Sequence, residues 1–522
     1  MRRKRELLGF PAFALTLGAS SVLASDMGTG ASASLPDLIP LAEHADQRVY
    51  TELVREGRNN EAFLQAFEEG DELFETRFNA ADGVGANVGD GLRFSRVPRA
   101  DLDAPGEWAT HVPARSTGPN AQACNSCHNQ PMDDGAGLAA NNVHRDPLHA
   151  GSMGSFITRN TPHLFGLGAV QLLAEEMTAE LHALRDTAVE VSCESGEDVT
   201  RQLVTKGVDF GSLEVKASPD GACGAEIDTS MVAGVNPDLV VRPLHWKGKD
   251  VSIRMFNRDA SHNELGMQAV ELVGEGVDGD GDGVTDEMTV GDQTALVIYL
   301  AAQPRPVTRL ELERIGEIEP MDAEERRSIL DGEQHFADAG CAACHAPAMH
   351  LDDPVFREPS GSPHYRDELF ANGLRPASFG LDPAHAISFD LTRDHPDNVI
   401  ETGDGEMHRV GSFGTDGAGG AIVRLYSDLK RHDMGPALAE TIDEIGVGES
   451  VWLTRSLWGV GSTAPYLHDG RATTLGEAIL AHGGDSLESR AAFLALEEGE
   501  QSALIAFLDN LVLYKLEEEE EH

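Results

Sequence analysis

The chain has 522 residues, of which 41% are hydrophobic and 25% charged, the composition of a globular protein. This length exceeds what one compact domain usually holds, so we expect two domains. The formal net charge is −48. Such an acidic surface repels nucleic acid and anionic membranes, so nucleic acid binding is excluded as the expected function and basic partners are favoured.

The first 25 residues have the pattern of an export signal. Arg2–Arg5 are positively charged, residues 7–23 are apolar or small, and Val22-Leu23-Ala24 has small residues at the cleavage spacing. We therefore expect the mature protein in the periplasm of a Gram-negative bacterium, without stable insertion in the membrane after cleavage. An uncleaved anchor is the alternative, but the stretch barely reaches the spanning threshold of ~18 residues.

The next segments indicate helices and a domain boundary. Residues 41–74 carry apolar side chains at helical intervals, and Thr294–Ala302 is an apolar helix that the following prolines end. We place the boundary there, which gives an N-terminal domain over residues 40–305 and a C-terminal domain over residues 320–515.

Two regions depart from this helical pattern. A stretch rich in Gly, Asp and Ser at about 180–245 is predicted to be an irregular insertion in the N-terminal domain. The final helix is predicted near Ser502–Leu513, and the charge run Glu517–Glu521 is predicted to be solvated.

Two copies of the motif Cys-x-x-Cys-His carry the strongest chemical signal. They are Cys124, Cys127 and His128, and Cys341, Cys344 and His345. In this motif the two thiols add to the vinyl groups of haem and the adjacent imidazole binds the iron. A redox dithiol or half of a zinc site is the alternative. A zinc site would need a second pair of ligands near each motif, and the sequence has none there. We therefore expect two covalently bound haem c groups.

Similar residues precede each haem motif, Asp71–Phe74 before the first and Gly332–Phe336 before the second, which is a weak internal duplication. Cytochrome c domains wrap their haem in helices. We therefore predict a mainly α fold with two cytochrome c-like domains, the N-terminal one carrying the large irregular insertion.

The two remaining cysteines are Cys193 and Cys223. In an oxidising compartment they are expected to form a disulfide that staples the insertion. Two unpaired thiols are the alternative.

Residues 278–289 have the alternating carboxylates of a calcium loop. Gly283 takes the sharp turn, but Thr289 stands where an EF-hand has its bidentate glutamate, so the loop is not a full EF-hand. A solvated acidic turn is the alternative to Ca²⁺. The expected calcium ligands are Asp278, Asp280, Asp282, Val284 and Asp286.

Two further segments, Arg159–Pro162 and Thr463–Gly470, resemble bacterial di-haem cytochrome c peroxidases. The closest resemblance is to a related group of di-haem oxidoreductases, sometimes called thiol oxidoreductases. It covers about residues 60–180 and 250–515. This resemblance implies that one haem takes up electrons at high potential and that the other reduces peroxide to water.

The resemblance also implies distal iron ligands. Where the peroxidases supply a methionine to the second haem, this chain has His482, and an imidazole lowers the potential of a c-type haem. Met434 is the alternative ligand. For the first haem, the matching loop histidine is His144, with a solvated loop histidine as the alternative; His149 and His163 are nearby.

Peroxide cleavage needs a group that moves a proton between the two oxygens. The peroxidases carry a glutamine and a glutamate after the segment that Arg159–Pro162 resembles, and the matching candidates here are Gln171 and Glu175. Surface carboxylates are the alternative interpretation. No counterpart of the tryptophan between the haems is evident; the candidates are Trp246, Trp452 and Trp458.

Together these features predict a periplasmic di-haem c-type cytochrome oxidoreductase, a peroxidase that reduces hydrogen peroxide with electrons from a small cytochrome or cupredoxin. One alternative is a non-catalytic di-haem electron carrier. The other is a di-haem enzyme that oxidises a partner protein.

Overall fold

The computed structural model describes residues 39–85, 94, 113–218, 226–393, 398–401 and 407–516. The predicted signal peptide and the tail Glu517–Glu521 lie outside the described residues. Leu41–His522 groups into one compact unit. Within the described part of the chain, no helix is both long enough and apolar enough to cross a membrane.

Helices dominate the fold. In chain order they are α1 (Gln47–Arg55), α2 (Asn59–Glu75), α3 (Leu167–Ser195), α4 (Ile253–Ala260), α5 (Val270–Val273), α6 (Val290–Ala302), α7 (Arg309–Ile315), α8 (Ala323–Asp338), α9 (Leu475–Ala481), α10 (Leu487–Ala495) and α11 (Glu498–Asp509). The predicted helices at 41–74, 294–302 and near 502–513 are confirmed as α1 with α2, as α6 and as α11. All of α6 is buried, because its residues are mostly apolar or small on every face.

The strands are short and pair antiparallel in sheets of two or three. They are β1 (Val143–Arg145), β2 (Ile157–Arg159), β3 (Val199–Thr205), β4 (Val208–Lys216), β5 (Glu226–Asp228), β6 (Val307–Thr308), β7 (Met349–Leu351), β8 (Val355–Glu358), β9 (Ile387–Asp390), β10 (Val399–Glu401), β11 (Met407–Arg409), β12 (Gly414–Thr415), β13 (Ala421–Val423), β14 (Arg431–Asp433), β15 (Val451–Leu453) and β16 (Leu511–Val512).

The fold is mixed and helix-rich, with 37% helix and 14% strand, so the prediction of a mainly α fold is only partly right. The clearest departure is the insertion at 180–245, which was expected to be irregular. Instead, α3 extends to Ser195, and β3, β4 and β5 form a sheet that packs on it. Lys206 and Gly207 connect β3 to β4 with φ of 48° and 83°, the left-handed pair that suits a two-residue hairpin turn.

The two haem motifs lie beside the same kind of helix crossing. Gly70 on α2 packs against the Ala295 carbonyl of α6, and Gly332 on α8 packs against the Ala503 carbonyl of α11. Both contacts are so close that a Cβ atom on either glycine would collide with that carbonyl. Glycine permits this approach because it has no side chain. The repeated crossing supports the internal duplication.

Each crossing places a phenylalanine beside the histidine of its motif. The Phe74 ring lies 6.2 Å from the His128 ring at 52°, and the Phe336 ring lies 6.3 Å from the His345 ring at 50°. The spacing of Phe74 and Phe336, each four residues after the crossing glycine, sets this geometry because residues i and i+4 share one helix face.

The hydrophobic core is shared along the chain. The larger cluster combines α2, α3 and α6 with strands that follow the second motif, including β7, β8 and β9. A smaller cluster around Phe336, Leu504 and Phe507 lies beside the second motif. The proposed domain boundary near residue 305 stays a prediction.

Candidate haem sites

Two cavities border the motifs. The first cavity, of about 170 Å³, is lined by Cys124, Cys127 and His128, and the second cavity, of about 310 Å³, by Cys341, Cys344 and His345. Both cysteines and the histidine of each motif therefore face one mostly apolar space, as covalent attachment of a haem requires.

The hydrogen-bond partners of the motif histidines favour the tautomer that binds metal. His128 Nδ1 lies 3.2 Å from the Gly135 carbonyl oxygen, and His345 Nδ1 lies 3.1 Å from the Tyr426 carbonyl oxygen. An Nδ1–H that donates to a carbonyl leaves Nε2 free as the ligand. Burial lowers the pKa of both histidines to about 4, so each imidazole stays neutral.

His482 faces His345 across the second cavity. Their ring centres are 6.4 Å apart. Two imidazoles that bind one metal from opposite sides at about 2 Å would place their ring centres roughly 6 Å apart, so the observed separation suits a shared iron. His482 Nδ1 lies 2.8 Å from the Ala478 carbonyl oxygen, which again leaves Nε2 as the ligand.

A short helix, α9, positions His482. Thr474 accepts a hydrogen bond from the Glu477 backbone N–H at 3.2 Å, and the Glu477 carboxylate accepts from the Thr474 N–H at 3.0 Å, which together form a capping box. The helix ends at Ala481, one residue before His482, and Leu475 and Ile479 line the cavity with it. Met434 also lines the second cavity. The identity of the second iron ligand therefore stays a prediction, and the short distance between the His345 and His482 rings favours His482.

The histidines expected near the first haem have different locations. His144 lies on β1 with Nδ1 3.1 Å from the Thr158 hydroxyl, and it is not among the described residues that line the first cavity. His149 Nε2 lies 2.7 Å from the Arg115 carbonyl oxygen. His163 lines both cavities, with Nε2 3.0 Å from the Trp458 carbonyl oxygen. The geometry therefore does not support His144 as an iron ligand.

Gln171 and Glu175, the predicted proton-transfer residues, line neither cavity. Gln171 accepts from the Ile253 N–H at 2.9 Å and donates to Glu175 at 2.9 Å, while Glu175 accepts from the Ser360 hydroxyl at 2.7 Å. These bonds join α3 to α4 and to the segment after β8. The prediction that Gln171 and Glu175 transfer protons is therefore wrong. Their side chains form hydrogen bonds that connect α3 to its neighbours in the fold.

A carboxyl group that sequence reasoning missed does line the first cavity. Glu264 accepts from Asn120 Nδ2 at 2.6 Å and lies 4.0 Å from the Arg145 guanidinium. Burial raises the pKa of Glu264 to about 7. Arg145 also pairs with Glu444 at 2.8 Å and lies 3.8 Å from Asp259, so the cavity wall is a network of charges. No local pattern marks Glu264, because its partners are distant in sequence.

Asp259, which lines the same wall, contrasts with Glu264. Burial alone would raise the pKa of Asp259, but Lys249 at 3.0 Å and the Arg145 guanidinium hold it well below its usual value. One carboxyl of the wall is therefore permanently ionised, and the other changes protonation near neutrality. Active sites that use acid–base catalysis often contain two neighbouring carboxyl groups whose pKa values are far apart, as those of Glu264 and Asp259 are.

Arg455 supports the fit of haem to these cavities. It lines both of them, and among the described residues no carboxylate lies within ion-pair distance of it. Burial lowers its pKa to about 10. An unpaired charge is costly to bury, so the Arg455 guanidinium would be stabilised by an anionic group in the cavities. Haem carries two propionate carboxylates that could pair with it.

Trp246 is the tryptophan that lines both cavities, whereas Trp452 and Trp458 line the second cavity alone. Its indole N–H donates to the Asn160 carbonyl oxygen at 2.9 Å, and the Arg455 guanidinium lies 5.6 Å from its ring centre. Trp452 instead stacks on His468, with ring centres 3.8 Å apart.

Among the described residues, the remaining predicted sites line neither cavity. Cys193 is disulfide-bonded; its predicted partner Cys223 lies outside the described residues, so the pairing stays a prediction. The carboxylates of Asp278, Asp280 and Asp282 converge within 4.8 Å.

Comparison with known proteins finds a matching family for part of the chain. The family described as "Di-haem oxidoreductase, putative peroxidase" matches residues 407–511, which include Met434, the Thr463–Gly470 segment and His482. The resemblance to di-haem oxidoreductases is thereby confirmed for this segment, and the description of that family names two haems. No curated protein matches the chain.

Several solved structures are similar, and two of them have low identity to this chain. Hydrazine synthase of Kuenenia stuttgartiensis is 13% identical over 94% of this chain and 100% of that chain, with a TM-score of 0.30. A MauG-like protein associated with microbial copper homeostasis is 18% identical over 51% of this chain and 68% of that chain, with a TM-score of 0.24.

Proposed function

We propose that the protein is a periplasmic di-haem c-type oxidoreductase that reduces hydrogen peroxide to water in the first cavity. Each peroxide takes two electrons and two protons and gives two waters. Haem iron, when bound, supplies the redox centre at which the O–O bond is reduced. The protein would then consist of two cytochrome c-like units around the two helix crossings.

The asymmetry of the two cavities carries this proposal. In the second cavity, the ring centres of His345 and His482 are 6.4 Å apart, so both imidazoles would hold the iron of a bound haem. Among the described residues, the ring in contact with His128 is Phe74; His163 and His245 also line the first cavity, but neither ring contacts His128 as His482 contacts His345. The first cavity instead presents an ionisable carboxyl, Glu264. One site is thus suited to electron transfer and the other to a reacting ligand.

Glu264 is assigned the proton transfer. With a pKa of about 7, it can take a proton from one peroxide oxygen and return it to the other at neutral pH. Asn120 orients the carboxyl through its 2.6 Å hydrogen bond. The Arg145 guanidinium, also on the cavity wall, is placed to attract an anionic form of peroxide.

Electrons would reach the first cavity from the second through Trp246, because this side chain borders both. The donor would be a small periplasmic cytochrome or cupredoxin. The net charge of −48 favours a donor with a basic docking face and predicts that association weakens as salt screens the two surfaces.

Glu264→Gln tests this assignment, and Glu175→Gln is its matched control. Both glutamates have burial-raised pKa values, but only Glu264 lines a cavity. Peroxide turnover with a reduced donor should fall about 10²–10⁴-fold in Glu264→Gln, the usual contribution of acid–base catalysis. It should change little in Glu175→Gln.

The pH profile provides a second measurement. The parent protein should show an ionisation near pH 7, with Glu264 protonated below and ionised above it, and Glu264→Gln should lose this ionisation while keeping both haem spectra. Full turnover in Glu264→Gln, or a large loss in Glu175→Gln alone, contradicts the assignment. A parent protein with two low-spin haems and no turnover would instead be an electron carrier.

A further inference from the structure

We propose that the loop at residues 278–287 binds a calcium ion and that this ion braces the wall of the first cavity. The binding site stands on its own geometry; the consequence for peroxide reduction rests on the proposed function.

The loop gathers more negative charge than the protein neutralises. The carboxylates of Asp278, Asp280 and Asp282 have ligand atoms within 4.8 Å of one another. Glu287, which is 2% exposed, is close enough for its pKa to be raised by Asp280 as well as by burial. Among the described residues, the cation within 4 Å of these four carboxylates is Arg115, 3.5 Å from Asp280.

Buried carboxylate oxygens in this group lack hydrogen-bond donors. The Asp280 side chain is 0% exposed, yet neither of its oxygens accepts a hydrogen bond, and Glu287 Oε1 also has no donor. Buried polar atoms are almost always satisfied, and buried charges are paired or bound to metal. These oxygens therefore point to a bound cation, independently of the sequence pattern.

The backbone folds around the same point. Asp278 accepts hydrogen bonds from the N–H groups of Gly281 at 2.7 Å and Gly283 at 3.0 Å. Both glycines have positive φ, which lets the loop turn tightly around its first carboxylate. This is the arrangement that alternating carboxylates need in order to converge on one ion.

The structure changes the ligand set expected from the sequence. Thr289 caps α6 by accepting from the Asp292 N–H at 3.0 Å. Asp286 already accepts from the Gly276 N–H at 2.7 Å, whereas the buried Glu287 Oε1 has no donor. Glu287 takes the place of the missing bidentate glutamate, and the proposed side-chain ligands are Asp278, Asp280, Asp282 and Glu287. The Val284 carbonyl stays a prediction.

The chemistry of these groups selects calcium. All are hard carboxylate oxygens, without the imidazole or thiolate that zinc and copper favour. Ca²⁺ accepts six to eight oxygens in a flexible geometry, whereas Mg²⁺ demands a near-ideal octahedron and keeps several waters. An irregular loop of carboxylates therefore fits Ca²⁺ better than Mg²⁺.

The proposed ion is linked to the first cavity through two residues. Arg115 donates to the carbonyl oxygens of His262 and of Gly266, the latter at 2.7 Å, and Glu287 Oε2 accepts from the Gln268 N–H at 2.8 Å. The turn Ser261–Leu265 carries Glu264; it contains one of these anchors, His262, and directly precedes the other two. A bound cation would neutralise the carboxylates and hold Arg115 and Glu287 in place. These two residues would then fix the segment that positions Glu264.

Calcium titration of the chelator-treated holoprotein tests the site without any turnover. Calorimetry with CaCl₂ should show one equivalent bound, and the thermal midpoint should rise with CaCl₂ and much less with MgCl₂. Glu287→Gln should weaken calcium binding about tenfold or more, since it removes one charged ligand. Asp286→Asn, the control in the same loop, should bind within about twofold of the parent.

Asp282→Asn serves as a second variant if Glu287→Gln does not fold. No calcium binding by the parent protein, or equal loss in Asp286→Asn and Glu287→Gln, overturns the site. The brace is tested separately: removing calcium should shift the ionisation near pH 7 or the spectrum of the first haem. Binding without this shift overturns only the link to the cavity, and binding by a protein without peroxide turnover overturns only the proposed function.

Discussion

Gly332→Ala tests the helix crossing beside the second haem motif. An added methyl group at this position would collide with the Ala503 carbonyl and lie 2.9 Å from the Phe507 Cβ. The backbone carbonyl cannot rotate away as a flexible side chain can, so α8 and α11 must move apart. The same crossing holds Phe336 against His345.

Two opposing terms determine the expected change in stability. Replacing glycine by alanine inside a helix stabilises it by about 1 kcal/mol when nothing is in the way. Overpacking a core costs about 1–3 kcal/mol, and a collision with backbone lies at the upper end. The free energy of unfolding should therefore fall by about 2 kcal/mol.

Denaturant unfolding of the holoprotein measures this difference, and Gly499→Ala is the matched control. Gly499 lies in α11 with no atom within 4 Å of an added Cβ, so its substitution should be neutral or stabilising by up to about 1 kcal/mol. If Gly332→Ala proves as stable as Gly499→Ala, the close crossing is not the reason for glycine at this position.

Three other predictions concern the haems. Intact mass should show two covalent haem additions, and Cys124→Ala or Cys341→Ala should each abolish stable attachment at one site; haem that extracts freely from the parent protein contradicts this. His482→Met should keep the second haem six-coordinate and raise its potential in a redox titration, because a thioether favours ferrous iron; a high-spin spectrum in Met434→Leu would make Met434 the ligand. Trp246→Phe should slow electron transfer between the haems in stopped-flow measurements while preserving both spectra, and an unchanged rate would exclude it as the bridge.

The sequence alone was sufficient where the chemistry is local. The haem motifs need only five consecutive residues, and the capping box of Thr474 and Glu477 spans one helical turn. The burial of α6 likewise follows from its own composition. Each of these features depends on neighbours along the chain, so spacing and residue type predict it without knowledge of the fold.

Regional composition was a weaker guide. The stretch at 180–245 contains enough Gly, Asp and Ser to indicate a loop, yet the β-branched residues on either side of Lys206-Gly207 form a hairpin. The sheet is stable because its apolar face packs on α3, a contact that composition does not reveal.

Only the tertiary structure decided which ionisable groups face the cavities. Glu175 follows the expected motif but bonds to Ser360, 185 residues away, and lies outside both cavities. Arg145, whose charge shapes the first cavity, pairs with Glu444, 299 residues away. The pKa of Glu264 likewise depends on burial by distant segments. Such properties arise from through-space electrostatics and desolvation, which chain folding creates and sequence spacing does not encode.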